Sequence, residues 1–391
     1  MATNPPKTTK RTKHQTTYDY QQAFQTLGYS FAYNEMTGMD MIIDGKSEIE
    51  LTDHKESEVM CKMHDLGFFQ ENRIRHQVKN LAYQNSYHPI KRYLESLPSY
   101  DGRNYVQELS EYVTADMFFT IFLWRWALGA VSKIYKQTQN PMLVLSGDQG
   151  IGKSYLAKAL NPFELQNYFT EGPLAPDQKD TGFRASQIWI WEVSELGSTT
   201  RRADIESLKG FLSQGYITAR RPYGRQDERR PITANYIGTI NNGEAGFLND
   251  PSGSRRFMVT KIEKIDWEGY MSNWSVDGFW SQAFHAFKMN EKPELTPEEL
   301  KLSIANNENY KAPDPIEIAF DQFFEVDYTN NFMSTNEILN QIRGSSFIKT
   351  MGDEAIQRRL SEYLVSKGAV KAKRNDITGK KVWGYANVTR I

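Results

Sequence analysis

Residues 147–154 have the types and spacing of a phosphate-binding loop. They are Gly-Asp-Gln-Gly-Ile-Gly-Lys-Ser, which matches G-x-x-x-x-G-K-[ST]. Glycines let the backbone wrap closely around phosphates with its N–H groups pointing inward, and a following helix adds the positive end of its dipole. We predict contacts to a nucleoside triphosphate from Gly147, Asp148, Gln149, Gly150, Ile151, Gly152, Lys153, Ser154 and Tyr155.

Two residues of this loop have specific roles in such a site. Lys153 is predicted to reach the β- and γ-phosphates of ATP, and the hydroxyl of Ser154 to ligate Mg²⁺. The alternative is a glycine-rich turn with an ordinary lysine. The apolar run Met142–Leu145 before the loop and the helical pattern Tyr155–Leu160 after it favour the phosphate site.

Two glutamates follow a short apolar run about 35 residues after the loop. The run Ile188-Trp189-Ile190-Trp191 precedes Glu192, and Glu195 comes three residues later. An acid at the end of a neighbouring strand holds Mg²⁺, and a second group orients the attacking water. We assign Glu192 to Mg²⁺ and Glu195 to water activation, although the two roles could be exchanged. The alternative is a core strand followed by surface glutamates.

A polar strand end and an arginine pair complete the candidate catalytic residues. Asn241 ends the apolar segment that begins at Tyr236, where ATPases of the AAA+ type carry a polar residue that reads the γ-phosphate. An Asn pair in this place is also common in plain turns. Arg255 and Arg256 precede another strand, and either could stabilise the γ-phosphate of a neighbouring subunit, with Arg255 favoured. The alternative is that they bridge surface carboxylates.

Composition excludes several classes of protein. Hydrophobic residues make up 39% of the chain and charged residues 24%, which is typical of packed domains. The single cysteine, Cys61, excludes a disulfide framework and suits a reducing compartment. No apolar run approaches the roughly 20 residues of a membrane-spanning helix, and the polar N-terminus is unlike a secretory signal. We therefore predict a soluble, cytoplasmic protein without membrane contact.

The chain of 391 residues predicts an α/β fold in two or three domains. Short apolar runs alternate with helical stretches in the middle of the sequence, which indicates a sheet flanked by helices. Near the end, a capping box at Ser334 and two helical patterns precede a basic hairpin, the order of a winged helix. The predicted segments are a disordered basic arm (1–16), a small N-terminal α/β domain (17–87), a P-loop ATPase domain (88–290), a linker helix (291–316) and a winged-helix domain (317–391).

The net charge of −1 hides three basic patches, within residues 1–16, 218–231 and 371–381. Local concentrations of Lys and Arg on a neutral chain indicate contacts with a polyanion. Solvated surface loops are the alternative for each patch taken alone.

The motifs, in this order, resemble the virulence-associated protein E family of P-loop ATPases from phages, plasmids and genomic islands. That family is similar to the superfamily 3 replicative helicases of the AAA+ class. The matching segments are His88-Pro89, Asp101-Gly102, the phosphate loop, Trp191–Leu196, Arg221–Arg225, Ile237–Asn241 and Gly253–Phe257. The resemblance covers roughly residues 85–290. One departure is Glu-x-x-Glu in place of the adjacent Asp-Glu of many AAA+ enzymes, which leaves the division of the acid roles open.

The resemblance implies a homo-hexameric ring in a bacterial host cell, with ATP between subunits and single-stranded DNA in the channel. It also implies a basic hairpin within residues 217–236 that grips this DNA. The candidate contacts are Lys209, Arg220, Arg221, Tyr223, Arg225, Arg229 and Arg230. Arginines would pair with phosphates and the tyrosine would stack on a base. Alternatively, Arg221 and Arg225 brace the subunit interface or touch ATP.

The predicted winged helix offers a second DNA contact. Its recognition helix would span Asp353–Lys367, with the hairpin as a wing on the duplex backbone. The candidate residues are Arg358, Arg359, Lys371, Lys373 and Arg374. Winged helices also bind proteins, which is the alternative.

Together these observations predict a ring-forming DNA helicase or translocase, with ATP and Mg²⁺, that serves replication of a mobile element. One alternative is an AAA+ helicase loader or protein remodeller. Another is an origin-binding initiator that uses ATP for assembly. Ring size, unwinding polarity and any replication partner protein, including one for residues 18–86, stay open.

Overall fold

Buried apolar strands alternate with helices along the chain, so the protein has the mixed α/β fold that the sequence predicts. The computed structural model describes residues 15–45, 47–176, 178–194, 196, 202–220, 227–241, 254–310, 314–349, 351–375 and 379–391. The chain is divided into two compact units, Met1–Asn309 and Tyr310–Ile391. The finer division into five segments stays a prediction.

The first unit begins with a small four-stranded sheet and three helices. Its elements are α1 (Thr17–Thr26), β1 (Tyr29–Asn34), β2 (Met39–Asp44), β3 (Ser47–Glu50), α2 (Asp53–Asp65), α3 (Glu71–Gln84) and β4 (Ser86–Tyr87). The strand order is β3-β2-β1-β4, with β4 parallel to β1. These helices and strands form a small mixed α/β region.

A six-stranded sheet forms the centre of the first unit. The elements that follow β4 are α4 (Pro89–Ser96), α5 (Tyr105–Ser110), β5 (Val113–Ala115), α6 (Phe118–Lys136), β6 (Met142–Gly147), α7 (Lys153–Ala159), β7 (Phe169–Glu171), α8 (Lys179–Ala185), β8 (Ile190–Val193), α9 (Arg202–Leu212), β9 (Tyr216–Arg220), β10 (Asp227–Pro231), β11 (Asn235–Asn241), β12 (Phe257–Ile265), α10 (Trp267–Asn273), α11 (Val276–Lys288) and α12 (Pro297–Glu308). The strand order is β5-β12-β6-β11-β8-β7. Strands β12, β6, β11, β8 and β7 are parallel, and β5 is antiparallel at the edge.

Parallel strands must be covered on both faces, and every residue of β6 is accordingly buried. The long helix α6 fixes the start of β11 with two buried donors. Trp126 Nε1 donates to the Tyr236 carbonyl at 3.1 Å, and Lys133 Nζ donates to the Ala234 carbonyl at 2.7 Å. Burial lowers the pKa of Lys133 to about 7. The helix therefore determines where β11 starts in the sheet.

Helix α12 packs on β12 through two side-chain amides. Asn306 Nδ2 donates to the Val259 carbonyl at 2.6 Å, and Asn307 Nδ2 donates to the Phe257 carbonyl at 3.0 Å. This helix begins after a capping box that Thr296 forms with Glu299. Much of the segment interpreted as a linker is therefore attached to the central sheet.

The second unit contains small sheets and three helices around its own core. Its elements are α13 (Pro315–Asp321), β13 (Phe324–Val326), β14 (Phe332–Ser334), α14 (Thr335–Ile342), α15 (Asp353–Ser366), β15 (Val370–Asn375), β16 (Lys381–Ala386) and β17 (Val388–Arg390). The strand orders are β14-β16-β15 and β13-β17. Ile338, Leu360 and Leu364 lie in the core, and the capping box at Ser334 is formed as predicted.

No helix in the described part of the chain is long and apolar enough to cross a membrane.

Candidate nucleotide site and nucleic-acid contacts

The predicted nucleotide residues meet at one edge of the central sheet. Strand β11 lies between β6 and β8, with Asn241 opposite Gly147 and Ile237 opposite Glu192. The carboxyl ends of parallel strands lie at the same edge, where open α/β sheets bind their ligands. The sheet therefore brings together the loop after β6, Glu192 on β8 and Asn241 at the end of β11.

Glycine is required at three positions of the phosphate loop by the shape of its backbone. Gly150 and Gly152 have φ of +82° and +97°, in the left-handed region that side chains disfavour. A Cβ at Gly147 would come within 2.3 Å of the Ile262 carbonyl oxygen on β12. Asp148 and Gln149 are exposed, so the loop between these glycines is open to solvent.

Lys153 is held at the mouth of this loop. It is 7% exposed, and its Nζ donates to the carbonyls of Gly147 and Asp148 at 2.8 and 2.7 Å. The same amino group lies 3.4 Å from Asn241 Oδ1. The predicted sensor residue and the predicted phosphate lysine are therefore in direct contact.

Glu192 is buried in the sheet and accepts two hydroxyl donors. It is 1% exposed. Its Oε1 accepts from Ser154 Oγ at 3.0 Å and from Thr239 Oγ1 at 2.8 Å. A carboxylate in an apolar interior needs such donors because burial without them is costly. The two predicted Mg²⁺ ligands, Ser154 and Glu192, are adjacent as a shared metal site requires.

Sequence reasoning missed Thr239. It precedes Asn241 by two residues, so both side chains lie on the same face of β11. That spacing was a usable signal, but the contact with Glu192 depends on the pairing of β11 with β8.

The residues present fit both ATP and Mg²⁺. A hydroxyl and a carboxylate are the hard oxygen ligands that Mg²⁺ prefers, and the glycine-lined loop admits phosphates to the backbone. Tyr155 is 68% exposed beside the loop. Glu195, the proposed water-activating residue, lies outside the described residues.

The two candidate arginine fingers lie at the opposite edge of the sheet, where the parallel strands begin. Arg255 and Arg256 end a short 3₁₀ turn before β12, whose first residue, Phe257, pairs with Met142 at the start of β6. The five paired residues of β6 span roughly 13 Å at about 3.3 Å per residue. Neither arginine can therefore reach the phosphate loop of its own chain. Arg255 is exposed, and Arg256 Nε donates to Ser213 Oγ at 2.7 Å.

Both arginines also line a cavity at this edge. The cavity has a volume of about 520 Å³, and its walls include Leu212, Met258 and Leu295. Its lining combines apolar side chains with the two arginine cations.

Strands β9 and β10 form the predicted basic hairpin, with Arg220 opposite Asp227. Arg221, Tyr223 and Arg225 lie outside the described residues, as does the side chain of Arg220. Arg229 is exposed, and its guanidinium lies 4.1 Å from the centre of the Tyr216 ring.

Two of the predicted DNA contacts are corrected by burial. Lys209 is 3% exposed and Arg230 is 6% exposed, so neither side chain is available to DNA at the surface. Arg230 instead donates to the backbone carbonyl of Met36. For Arg230, counting charges in the sequence could not find this, because alternate residues of a strand face opposite sides.

The family model for the virulence-associated protein E-like domain matches residues 94–312, more than half of the chain. The chain belongs to the virulence-associated protein E-like family. This confirms the resemblance drawn from the motifs. No curated protein sequence matches it.

Two solved structures are similar to this virulence-associated protein E-like chain across most of its length. One is described as the apo structure of the NrS-1 C-terminal region (305–718). It is 14% identical, covers 96% of this chain and 100% of the other, and has a TM-score of 0.52. The other is the A-form apo structure of the same region, at 15% identity, 94% and 98% coverage and a TM-score of 0.51. At these identities the likeness shows the fold alone.

The second unit of this family member lies almost entirely beyond the matched domain. Arg358 on α15 is exposed and lines a groove of about 710 Å³ between that helix and the β15–β16 hairpin. Lys371 and Lys373 lie 5.8 and 5.6 Å from the centre of the Trp383 ring, which is 56% exposed. Glu354 also lines the groove, so the surface carries both signs of charge.

Two predicted contacts in this unit are engaged internally. Arg359 Nε donates to Asp314 Oδ2 at 2.9 Å. Arg374 donates to the Asn330 carbonyl at 3.1 Å and lies over the Phe332 ring. The structure therefore leaves Arg358, Lys371 and Lys373 as the more available cations of the five.

Proposed function

We propose that this protein is a P-loop ATPase of the AAA+ type that couples hydrolysis to movement on DNA. The observation that carries the proposal is the direct contact of Ser154 with Glu192, beside Lys153 and Asn241. Four residue types that phosphoryl transfer requires thus come from three separate elements, α7, β8 and β11, to one edge of the sheet.

The position of β11 supports the AAA+ assignment. It lies between the strand before the phosphate loop and the strand that carries Glu192. A polar residue at its end, Asn241, contacts the phosphate lysine, and Thr239 two residues earlier contacts the acid. This is the place from which a sensor residue would respond to the γ-phosphate.

The chain's own residues divide the work of hydrolysis. Lys153 would exchange its loop carbonyls for the β- and γ-phosphate oxygens, and Ser154 with Glu192 would hold Mg²⁺. When bound, Mg²⁺ would neutralise charge that develops on the phosphates. Glu195 would orient the attacking water, and its carboxylate would receive the water proton.

A neighbouring subunit would complete the site. Arg255 and Arg256 are at the far edge of the sheet from the loop of their own chain, which supports a role at the site of another copy. We propose a homo-hexameric ring in which one of these arginines stabilises the transition state next door.

DNA contacts would come from both basic hairpins. The β9–β10 hairpin would meet single-stranded DNA in the ring channel through Arg229, together with Arg221, Tyr223 and Arg225. The order of α13, β14, α14, α15 and the β15–β16 hairpin supports a winged helix, which would meet duplex DNA. Membership of the virulence-associated protein E-like family supports a role in the replication of a phage, plasmid or genomic island.

The test is the ATPase rate of the wild type with and without single-stranded DNA, beside Lys153→Ala, with the assembly mass measured in parallel. We expect hydrolysis by a ring, stimulated by DNA in a salt-sensitive way and lost in the variant. Hydrolysis that DNA does not change would overturn the translocase proposal and favour a loader or remodeller. Sequence-specific duplex binding that persists in Lys153→Ala, without DNA-stimulated hydrolysis, would favour an origin-binding initiator.

A mixing experiment tests the shared site. The double variant Arg255→Ala/Arg256→Ala and the variant Glu192→Gln should each be inactive alone. Mixed in one ring, they should regain part of the activity, because some interfaces then combine an intact arginine pair with an intact acid. No recovery in mixed rings would contradict a site completed by a neighbour.

A further inference from the structure

The turn between β1 and β2 leaves its own small sheet and enters the core of the central one. Met36 in this turn is 2% exposed, and its side chain belongs to the apolar core built around β6 and α6. It takes no part in the separate core that α1, α2 and α3 form with β1 and β2. The turn is thus a projection of the N-terminal sheet into the ATPase body.

Hydrogen bonds fix the shape of this turn. Asn34 Oδ1 accepts from the backbone N–H groups of Met36 and Thr37 at 3.0 and 3.1 Å. The N–H of Gly38, a glycine with φ of +73°, donates to the Asn34 carbonyl at 2.7 Å. Asn34 is 2% exposed, and its Nδ2 donates to the Tyr168 hydroxyl at 2.7 Å. These hydrogen bonds constrain the turn internally and tie it to Tyr168 of the ATPase body.

Two side chains of the ATPase body donate to the carbonyls of the turn. Gln187 Nε2 donates to Thr37 at 3.0 Å, and the guanidinium of Arg230 donates to Met36. Arg230 also lies 5.3 Å from the centre of the Phe183 ring on α8. Its neighbour Arg229 lies on the other face of β10, exposed. One arginine of the hairpin therefore faces inward as an anchor, and the next faces outward.

The other strand of the hairpin is packed just as closely. A Cβ at Gly182 of α8 would come within 2.9 Å of Ile217 Cγ2 on β9, so only glycine permits this approach. After β10, Thr233 Oγ1 donates to the Ile188 carbonyl at 2.9 Å, close to the start of β8. One packed cluster is thus formed by the part of the hairpin where β9 begins and β10 ends, helix α8 and the N-terminal turn. It lies beside β8, which is two strands away from β6, the strand that precedes the phosphate loop.

We propose that the Asn34–Gly38 turn is the base on which the β9–β10 hairpin is held in position. Arg230 is the positioning residue, because its hydrogen bond to the Met36 carbonyl connects the hairpin to this turn. A hydrogen bond from a charged group in a dry interior is strong, and its loss leaves a buried carbonyl without its donor. The N-terminal sheet would thereby determine how firmly the hairpin is presented. The part of this inference that concerns DNA rests on the proposed function.

Hydrogen exchange tests the anchor independently of any activity. Arg230→Ala should speed the exchange of amides in β9 and β10 about tenfold, the effect of losing one charge-assisted hydrogen bond, while amides of β6 are unchanged. Arg229→Ala is the matched control, one residue away on the exposed face. It loses only the surface contact with the Tyr216 ring and should change those rates by no more than a few-fold. Equal rates in the two variants would overturn the proposal.

A second variant keeps the test valid if Arg230→Ala does not fold. Met36→Ala shortens the side chain of the turn and leaves every residue of the hairpin intact. It should speed exchange in β9 and β10 in the same direction, whereas Arg230→Lys, which keeps a donor, should restore slower exchange than Arg230→Ala. Unchanged exchange in Met36→Ala would count against the turn as a base.

DNA titrations of ATPase activity test the functional part. In Arg230→Ala, the concentration of single-stranded DNA that gives half-maximal stimulation should rise about tenfold while the KM for ATP stays the same, since the anchor is remote from the phosphates. A general folding defect would change both quantities. If DNA stimulates no form of the protein, the wild type included, the proposed function fails, and the exchange rates still decide whether the anchor exists.

Discussion

Two charged residues of the candidate nucleotide site, which we call the nucleotide edge because it lies at the carboxyl ends of β6, β8 and β11, are buried, whereas two of the β15–β16 hairpin are exposed. Lys153 and Glu192 are buried and held by neighbouring groups at 2.7–3.0 Å. Lys371 and Lys373 are exposed and lie beside a single indole ring. Burying a charge costs several kcal/mol, so it is retained where the position of that charge must be fixed. Contact with a charged polymer requires only cations at the surface.

The β9–β10 hairpin combines both arrangements on one strand. Arg230 is an inward anchor and Arg229 an outward cation, yet the two are adjacent and identical in the sequence. Net basic charge in a segment is therefore an upper limit on the charge that DNA can meet. If the comparison is right, substitutions at the nucleotide edge should have large effects and those on the outer hairpin small ones.

The largest effect should follow Glu192→Gln. The substitution removes the negative charge that would hold Mg²⁺ but keeps an oxygen that can accept from Ser154 and Thr239. We expect ATP hydrolysis to fall by roughly 10³-fold, as for loss of a main electrostatic group in phosphoryl transfer. Binding of a fluorescent ATP analogue should persist, which separates lost chemistry from lost folding. A variant that retains more than a tenth of the wild-type rate would show that Glu192 does not hold the metal.

Thr239→Val should have the next largest effect. The substitution keeps the shape of the side chain and removes the hydroxyl that donates to Glu192 at 2.8 Å. Loss of an outer partner of a metal ligand typically lowers metal affinity by about 10- to 100-fold. We expect the Mg²⁺ concentration needed for half-maximal ATP-analogue binding to rise by that factor.

Thr239→Ser is the matched control, because it keeps the donor and loses only a methyl group. It should stay within a few-fold of the wild type in Mg²⁺ dependence. If valine and serine behave alike, the hydroxyl of Thr239 does not orient the acid.

The pH dependence of stability tests whether burial of the Lys133 amine destabilises its charged form. Burial lowers its pKa from 10.5 to about 7. Between these values the unfolded chain binds a proton that the folded chain has released, so stability rises with pH across that window. From about pH 7.5 to about pH 9.5 we expect the wild type to gain roughly 2.5 kcal/mol in unfolding free energy relative to Lys133→Met, slightly less than the full slope of about 1.4 kcal/mol per pH unit. Urea unfolding at both pH values measures this, and a difference that does not change with pH would show that the amine is solvated.

The smallest effect should follow substitution of the outer hairpin. Lys371→Ala/Lys373→Ala should weaken duplex binding by a few-fold and lower the salt dependence by about two phosphate contacts, with the fold unchanged. Arg374→Ala is the control on the same strand, since that guanidinium is already bonded to Asn330. Equal losses from the control and the double variant would place the DNA contact elsewhere.

Local sequence signals predicted which residues lie together at the carboxyl ends of β6, β8 and β11, because a phosphate loop, its flanking strand and an acid ending an apolar run are all short-range patterns. The contacts that Thr239 and Arg230 make were beyond such signals. Their partners, Glu192 and Met36, are brought to them by strand pairing and by a turn almost 200 residues away in the chain. The three-residue strands β5 and β7 escaped for a related reason, since so short a run shows no clear alternation. Glu195 and the finger role of Arg255 stay predictions.

The turn at Met36 also limits where the protein can be cut. A fragment that starts at His88 would keep the whole of the matched domain, yet it would lack the side chain that closes the apolar core. In such a fragment, Gln187 and Arg230 would also lose the carbonyl groups of Thr37 and Met36 to which they donate. Such a fragment should expose apolar surface and aggregate on expression, so the region recognised by sequence similarity is smaller than the region that can fold by itself.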